Sequence, residues 1–194
     1  MKQSALLLLV VFLFSAACGI PEDSQPNTIT SPISIQEGSQ PESPVSEENR
    51  KETIYLFDEK NQLAPVQREI PVKDLRVTDL INELVGDLTE LERNDVLSTA
   101  VPVGLSLSGV EQDNDIATIN FNAGGLEVLE GEELTKALAQ IVWTLTETGS
   151  LREIRISIEG DMKTWPTPDG GDQQLLRRIQ FISYAPEVTR GITQ

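Results

Sequence analysis

Beyond residue 52 the apolar positions fall into two rhythms, one of period two and one of helical period. Thr53-Ile54-Tyr55-Leu56-Phe57 is an apolar run that predicts a strand, and Asp58 to Gln62 is a polar turn. Leu63 to Val72 predicts a second strand, bounded by Pro65 and Pro71. Val77, Leu80, Ile81, Leu84, Leu88 and Leu91 line one helical face, and Gly86 interrupts it, so a helix is expected to about Val85 with a looser turn after it. Val103 to Gly109 alternates apolar and small polar residues. Ala117, Ile119 and Phe121 alternate with Thr118 and Asn120. The acidic stretch Glu111 to Asp115 lies between the two runs, as in a hairpin.

The second helix is written more strongly. Leu134, Ala137, Leu138, Ile141, Val142 and Leu145 repeat at three- and four-residue spacing. Glu132 and Glu133 stand in its first turn, where the helix dipole favours acids, and Gly149 closes it. Ile154, Ile156 and Ile158 then alternate with polar residues as a half-buried strand. After a loop from Asp161 to Gln173, Ile179 to Tyr184 predicts a last strand. The order is β-β-α-β-β-α-β-β. It implies an α/β (α+β) fold, a two-layer sandwich with two amphipathic helices packed on one mixed sheet.

The first 52 residues obey neither rhythm. Lys2 precedes a ten-residue apolar run, Ala5 to Phe14, which is half of the roughly 20 residues a membrane span needs. Its length is that of a signal-peptide core. Ser15-Ala16-Ala17-Cys18 follows, and small residues before a cysteine resemble a lipobox, in which the cysteine takes a diacylglyceryl group and becomes the new N-terminus. Residues 1–17 are therefore expected to be a signal peptide and Cys18 the lipid anchor. Residues 19–52 hold five Pro, six Ser and seven acids against two basic residues. With Cys18 they form an expected disordered tether, with a span of roughly 30 Å or more as a flexible chain. The folded domain is placed at 53–184 and a tail at 185–194.

Charge and residue inventory narrow the chemistry. The chain carries 15 basic and 31 acidic residues, a net charge of −16, which becomes −17 once the signal peptide and its one lysine are removed. So acidic a surface disfavours nucleic acid and anionic lipid as partners. There is no His, which excludes Ser-His-Asp and Cys-His nucleophile systems and imidazole ligands. The single Cys lies at the lipidation site, so the mature domain has no disulfide and no thiol nucleophile. No cofactor or metal is implied. Glu111, Asp113 and Asp115 are spaced carboxylates, but they lack the fixed ligand pattern and closing Glu of a calcium loop. Nothing apolar stands near them in the sequence to raise a pKa for acid catalysis.

Several of these segments resemble the GerMN domain family, a domain of sporulation and spore-germination proteins. The resemblance covers most of residues 53–184. It is carried by Ile54-Tyr55-Leu56-Phe57, by Leu97-Ser98-Thr99-Ala100-Val101-Pro102, and by Ala117-Thr118-Ile119-Asn120-Phe121. It continues through Ala137 to Thr146 and Ile154 to Gly160. Gly86-Asp87 departs from the family's common Gly-Pro, and Asn120-Phe121 from its Asp followed by an aliphatic residue. The resemblance implies an extracytoplasmic envelope protein, often a lipoprotein, whose domain binds or assembles and has no established catalytic site. It also implies self-association, by similarity to ring-building domains of sporulation secretion complexes. One relative of this kind is linked to a membrane sensor kinase.

Three residues stand out as candidates for partner binding. Gln140 and Thr144 are i, i+4 neighbours on the less apolar side of the second helix, which reads either as a binding face or as a solvated back. Trp165 lies among Pro and Gly in Lys163 to Gly171, and reads either as a contact residue or as a plug over the core edge. The function expected is that of a lipid-anchored, non-enzymatic envelope module, on the extracytoplasmic face of the cell membrane, contacting an envelope protein or a second copy. The alternatives are a carboxylate-based glycan hydrolase and a lipoprotein regulator of a sensor kinase.

Overall fold

The computed structural model describes residues 48–187. The segments expected to be a signal peptide (1–17), a lipidated Cys18 and a tether lie outside the described residues as far as residue 47, as does the expected tail from residue 188. The chain opens with an antiparallel hairpin, β1 (Asn49–Phe57) and β2 (Leu63–Pro71). Helix α1 (Arg76–Val85) follows, then a one-turn helix α2 (Glu90–Asn94). A second hairpin, β3 (Leu107–Asp113) and β4 (Ile116–Phe121), leads into helix α3 (Gly131–Leu145). Strand β5 (Glu153–Ile158) comes back parallel to β4, with α3 as the crossover that a parallel pair needs. Short pairs β6 (Asp161–Met162) and β7–β8 (Trp165–Pro166, Asp172–Gln173) precede a 3-10 segment, Arg178–Tyr184.

This is a mixed α/β architecture with open sheets. The strands divide between the β1–β2 hairpin, a four-stranded mixed sheet in the order β3-β4-β5-β6, and the small β7–β8 pair. One apolar core joins them. The stripe Val77, Leu80, Ile81 and Leu84 of α1 belongs to the same buried cluster as the inner faces of β4 (Ala117, Ile119, Phe121) and β5 (Ile154, Ile156, Ile158) and the apolar residues of α3 from Ala137 to Leu145. Helix α3 lies against β1, α1 and the 3-10 segment, and α1 also packs on β3 and the first hairpin.

Four expectations are corrected in detail. The domain begins before Thr53: Asn49 to Glu52 pair with Pro71 to Arg68, because a strand partner extends β1 through polar sequence. Leu91 does not continue the stripe of α1; Thr89 and Glu92 form a capping box that starts a new helix, and Leu91 is 75% exposed. The first strand of the second hairpin is shifted from Val103–Gly109 to Leu107–Asp113. Asn114 takes a positive φ of 54° in the two-residue turn, so Glu111 and Asp113 belong to β3 rather than to the tip. Ile179 to Tyr184 is a 3-10 segment broken at Phe181 (φ −115°, ψ 24°), not a strand. Only Phe181 of its apolar residues is buried, whereas Ile179 and Ile182 are exposed. No helix among the described residues is long and apolar enough to cross a membrane.

Candidate partner-binding surfaces

The polar side of α3 is closed. Every residue from Ala137 to Leu145 is buried, and β1 and the Ser98–Val101 loop cover the side that carries Gln140 and Thr144. The Thr144 hydroxyl accepts a hydrogen bond from the Tyr55 backbone N–H at 3.0 Å. Gln140 Oε1 accepts one from the Ala100 N–H at 2.8 Å, and its amide donates to Thr99 Oγ1 at 3.2 Å. Both side chains thus satisfy backbone or loop groups that burial would otherwise leave unpaired. Gln140 and Thr144 are corrected from surface to interior. Of its two readings Trp165 takes the plug and not the contact residue: it is 5% exposed, and its Nε1 donates to the Ile156 carbonyl at 3.1 Å. It closes the core beside β5.

Charged residues tie the elements together from the rim of the core. Arg178 donates to the Trp143 carbonyl at 2.8 Å, to Thr146 Oγ1 at 2.7 Å and to Glu147 at 2.6 Å, and its guanidinium lies 4.7 Å from the Trp143 ring centroid. It therefore caps the Trp143 carbonyl in the last turn of α3 and fastens the 3-10 segment to that end of the helix. Tyr55 donates to the same Glu147 carboxylate at 2.6 Å, and burial together with that anion raises its pKa.

A second network holds the first hairpin to the helices. Glu52 is buried and receives Arg76 in a two-pronged bond at 2.6 and 2.5 Å and Arg50 at 2.5 Å. Arg68 bridges Glu92 in the same way, at 2.8 and 2.6 Å, and Glu83 at 2.9 Å. Burial alone would raise the pKa of Glu52 and Glu92. The hydrogen bonds and charges of their arginines, joined at Glu92 by the Thr89 N–H, outweigh it and hold both carboxyls below the ordinary glutamate range. These residues were missed in the sequence, although a signal was there. Arg68 falls in the inward phase of β2, with Val66 and Ile70, where a cation needs buried acid partners.

Concavities also mark the surface of the described residues, three of them well formed. A groove of about 790 Å³ runs between the outer edge of β2 and α2. One of about 460 Å³ lies between Phe57, the Ser98–Val103 loop and the first turns of α3. One of about 350 Å³ sits on the uncovered face of the four-stranded sheet, around Thr118, Asn120 and Ser157. There Asn120 Oδ1 accepts from Ser157 Oγ and the Gly160 N–H. Among the described residues, no group of three or more His, Cys, Asp or Glu is placed to hold a metal ion.

Comparison with known proteins gives this architecture its relatives. The model of the Germane family, described as sporulation and spore germination, matches residues 53–164. The tandem GerMN domains of the sporulation protein GerM from Bacillus subtilis align with a TM-score of 0.52 at 20% identity over 68% of this chain, which spans 45% of that structure. The first GerMN domain of the same protein aligns at 0.54 and 19% identity, covering 67% of this chain and 98% of the domain. At such identities the likeness is one of fold. A comparison with curated protein sequences returns no match. The family match takes in more than half of the chain, from β1 to the end of the four-stranded sheet, and on that basis the protein belongs to the Germane family of sporulation and spore germination.

Proposed function

We propose that this protein is a lipid-anchored, non-enzymatic module of the cell envelope, working through protein–protein contacts at the extracytoplasmic face of the membrane. The observation that carries the non-enzymatic reading is the state of its buried carboxylates. Glu52 and Glu92 are held ionised by arginines, and Asp79, also buried, accepts hydrogen bonds from Arg50 and the Asp74 N–H. A glycosidase-type general acid needs the reverse, a carboxyl raised in pKa by an apolar pocket or a second carboxylate. The anchor rests on Ser15-Ala16-Ala17-Cys18. The acidic Pro- and Ser-rich segment between that cysteine and β1 would hold the domain away from the bilayer and let it search for its partner.

Membrane fractionation of wild type and Cys18→Ser tests the anchor. Intact mass is expected to show diacylglyceryl on Cys18 and loss of Met1 to Ala17. A Cys18→Ser protein still wholly in the membrane fraction would remove that claim. Purified protein is expected to release no sugar from cell-wall glycan. Release that disappears on changing a single carboxylate would replace this reading with that of a hydrolase.

A further inference from the structure

The ladder of the first hairpin determines which main-chain groups of β2 are left over. Phe57 exchanges both backbone hydrogen bonds with Ser98, and the Tyr55 N–H goes to Thr144, so both residues direct their polar groups away from β2. The Val72 N–H bonds the Glu48 carbonyl one step beyond the strand. Alternation along an antiparallel pair then assigns the β1–β2 hydrogen bonds to Leu56–Ala64, Ile54–Val66, Glu52–Arg68 and Arg50–Ile70. The odd-numbered residues of β2 direct their N–H and C=O groups outward, to an edge with no neighbouring strand among the described residues. Pro65 and Pro71 fall in that odd set and lack an N–H. Between them Gln67 and Glu69 each present a donor and an acceptor.

That short edge forms one wall of the 790 Å³ groove. The opposite wall offers apolar surface, Leu91 at 75% exposure and the half-buried Leu97. Glu69, Asp87 and Asp95 stand exposed around it. Arg68, the cation among the lining residues, is already held by Glu83 and Glu92. The vacancy is therefore for an extended backbone with apolar and positively charged side chains.

We infer that the β2 edge between Pro65 and Pro71 takes up a short basic, extended segment of a partner protein by strand addition. Main-chain bonds to Gln67 and Glu69 set its register, one apolar side chain seats on Leu91 and Leu97, and Lys or Arg side chains meet the acidic rim. The prolines limit the added strand to a few residues, which also protects the edge from open-ended pairing. This inference rests on the binding-module reading and names its surface.

The test uses the chain as purified from its host and two labelled hexapeptides, alternating Lys-Val and alternating Glu-Val. The Lys-Val peptide is expected to bind at least tenfold more tightly than the Glu-Val peptide, to weaken with added salt, and to slow amide exchange at Gln67 and Glu69. Gln67→Pro removes an outward backbone N–H that has no partner within the domain, along with an exposed side-chain bond to Thr53, so it is expected to weaken binding about tenfold with the melting temperature at most slightly lowered. Should Gln67→Pro unfold the protein, Leu91→Lys at the exposed wall is expected to produce the same loss. Equal peptide binding by the folded variants, protection mapping elsewhere, or no binding of the Lys-Val peptide overturns the inference. Capture of native envelope proteins by the wild type and by Leu91→Lys alike would leave the broader binding reading standing while this surface falls.

Discussion

Thr144 sits in the last turn of α3, where a threonine has no intrinsic advantage, and its value comes from a strand that runs past it. The far edge of β1 leaves the Tyr55 N–H without a ladder partner, and the Thr144 hydroxyl accepts it at 3.0 Å. Removing that acceptor buries an unpaired N–H, so Thr144→Val is expected to destabilise the domain by about 1–3 kcal/mol in chemical denaturation, while Thr144→Ser retains most of the stability. Equal losses for the two would mean that methyl packing, not the hydrogen bond, is what Thr144 supplies. Trp165 poses the same question on a larger scale, since its ring closes the core and its Nε1 satisfies the Ile156 carbonyl. Trp165→Ala is expected to cost about 3–5 kcal/mol, measured the same way, the range for emptying a large aromatic site. A melting temperature left unchanged would return Trp165 to the surface.

At the scale of elements, periodicity was informative where one face of a segment alone is buried. The stripe of α1, the hairpin strand β4 and the strand β5 were all legible in the spacing of Val, Leu and Ile, because each has a wet side to contrast with its dry one. Helix α3 was placed correctly, but its surroundings were not. It is covered on both sides, and Gln140 and Thr144 look solvated in a sequence that does not reveal β1 and the Ser98–Val101 loop lying over them. The ends of the domain were misjudged for a related reason. Asn49 to Glu52 are held by strand pairing and ion pairs, and Arg178 to Tyr184 by the bonds of Arg178 and the buried Phe181, rather than by apolar repeats. A chain starting at Thr53 loses both Glu52, the partner of Arg76, and Arg50, a partner of the buried Asp79, and is expected to melt well below one starting before Glu48, by scanning calorimetry. Phe181→Ala is expected to cost about 3–5 kcal/mol although it lies outside the family match at 53–164, because its ring is fully buried. A fully stable Phe181→Ala protein would show the 3-10 segment to be dispensable.

For the molecule as a whole, charge acts in two opposite ways as pH falls. A net charge of −16 at neutral pH repels itself in the compact state, and protonating exposed carboxylates relieves that repulsion. The network around Glu52 and Glu92 responds in the other direction. Both carboxyls have folded-state pKa values depressed below the ordinary 4.5 by the arginines that hold them. Their contribution is present in full above 4.5 and disappears as pH falls through the lower folded values, because the unfolded chain takes up the protons first. The two effects separate on the pH axis. From pH 7 to about 5 the melting temperature is expected to change little or to rise slightly as repulsion eases. Below 4.5 it is expected to fall steeply as the links from the first hairpin to α1 and α2 are lost. Glu52→Gln removes one of those links at every pH. Its melting temperature is expected to be lower at pH 7, with a loss of about 1.5–3 kcal/mol typical of charged hydrogen bonds. Its decline below pH 4.5 should be shallower than that of the wild type. Melting curves for the two proteins from pH 7 to 3 decide the matter, since curves that run parallel throughout would place the acid-labile contact somewhere other than Glu52.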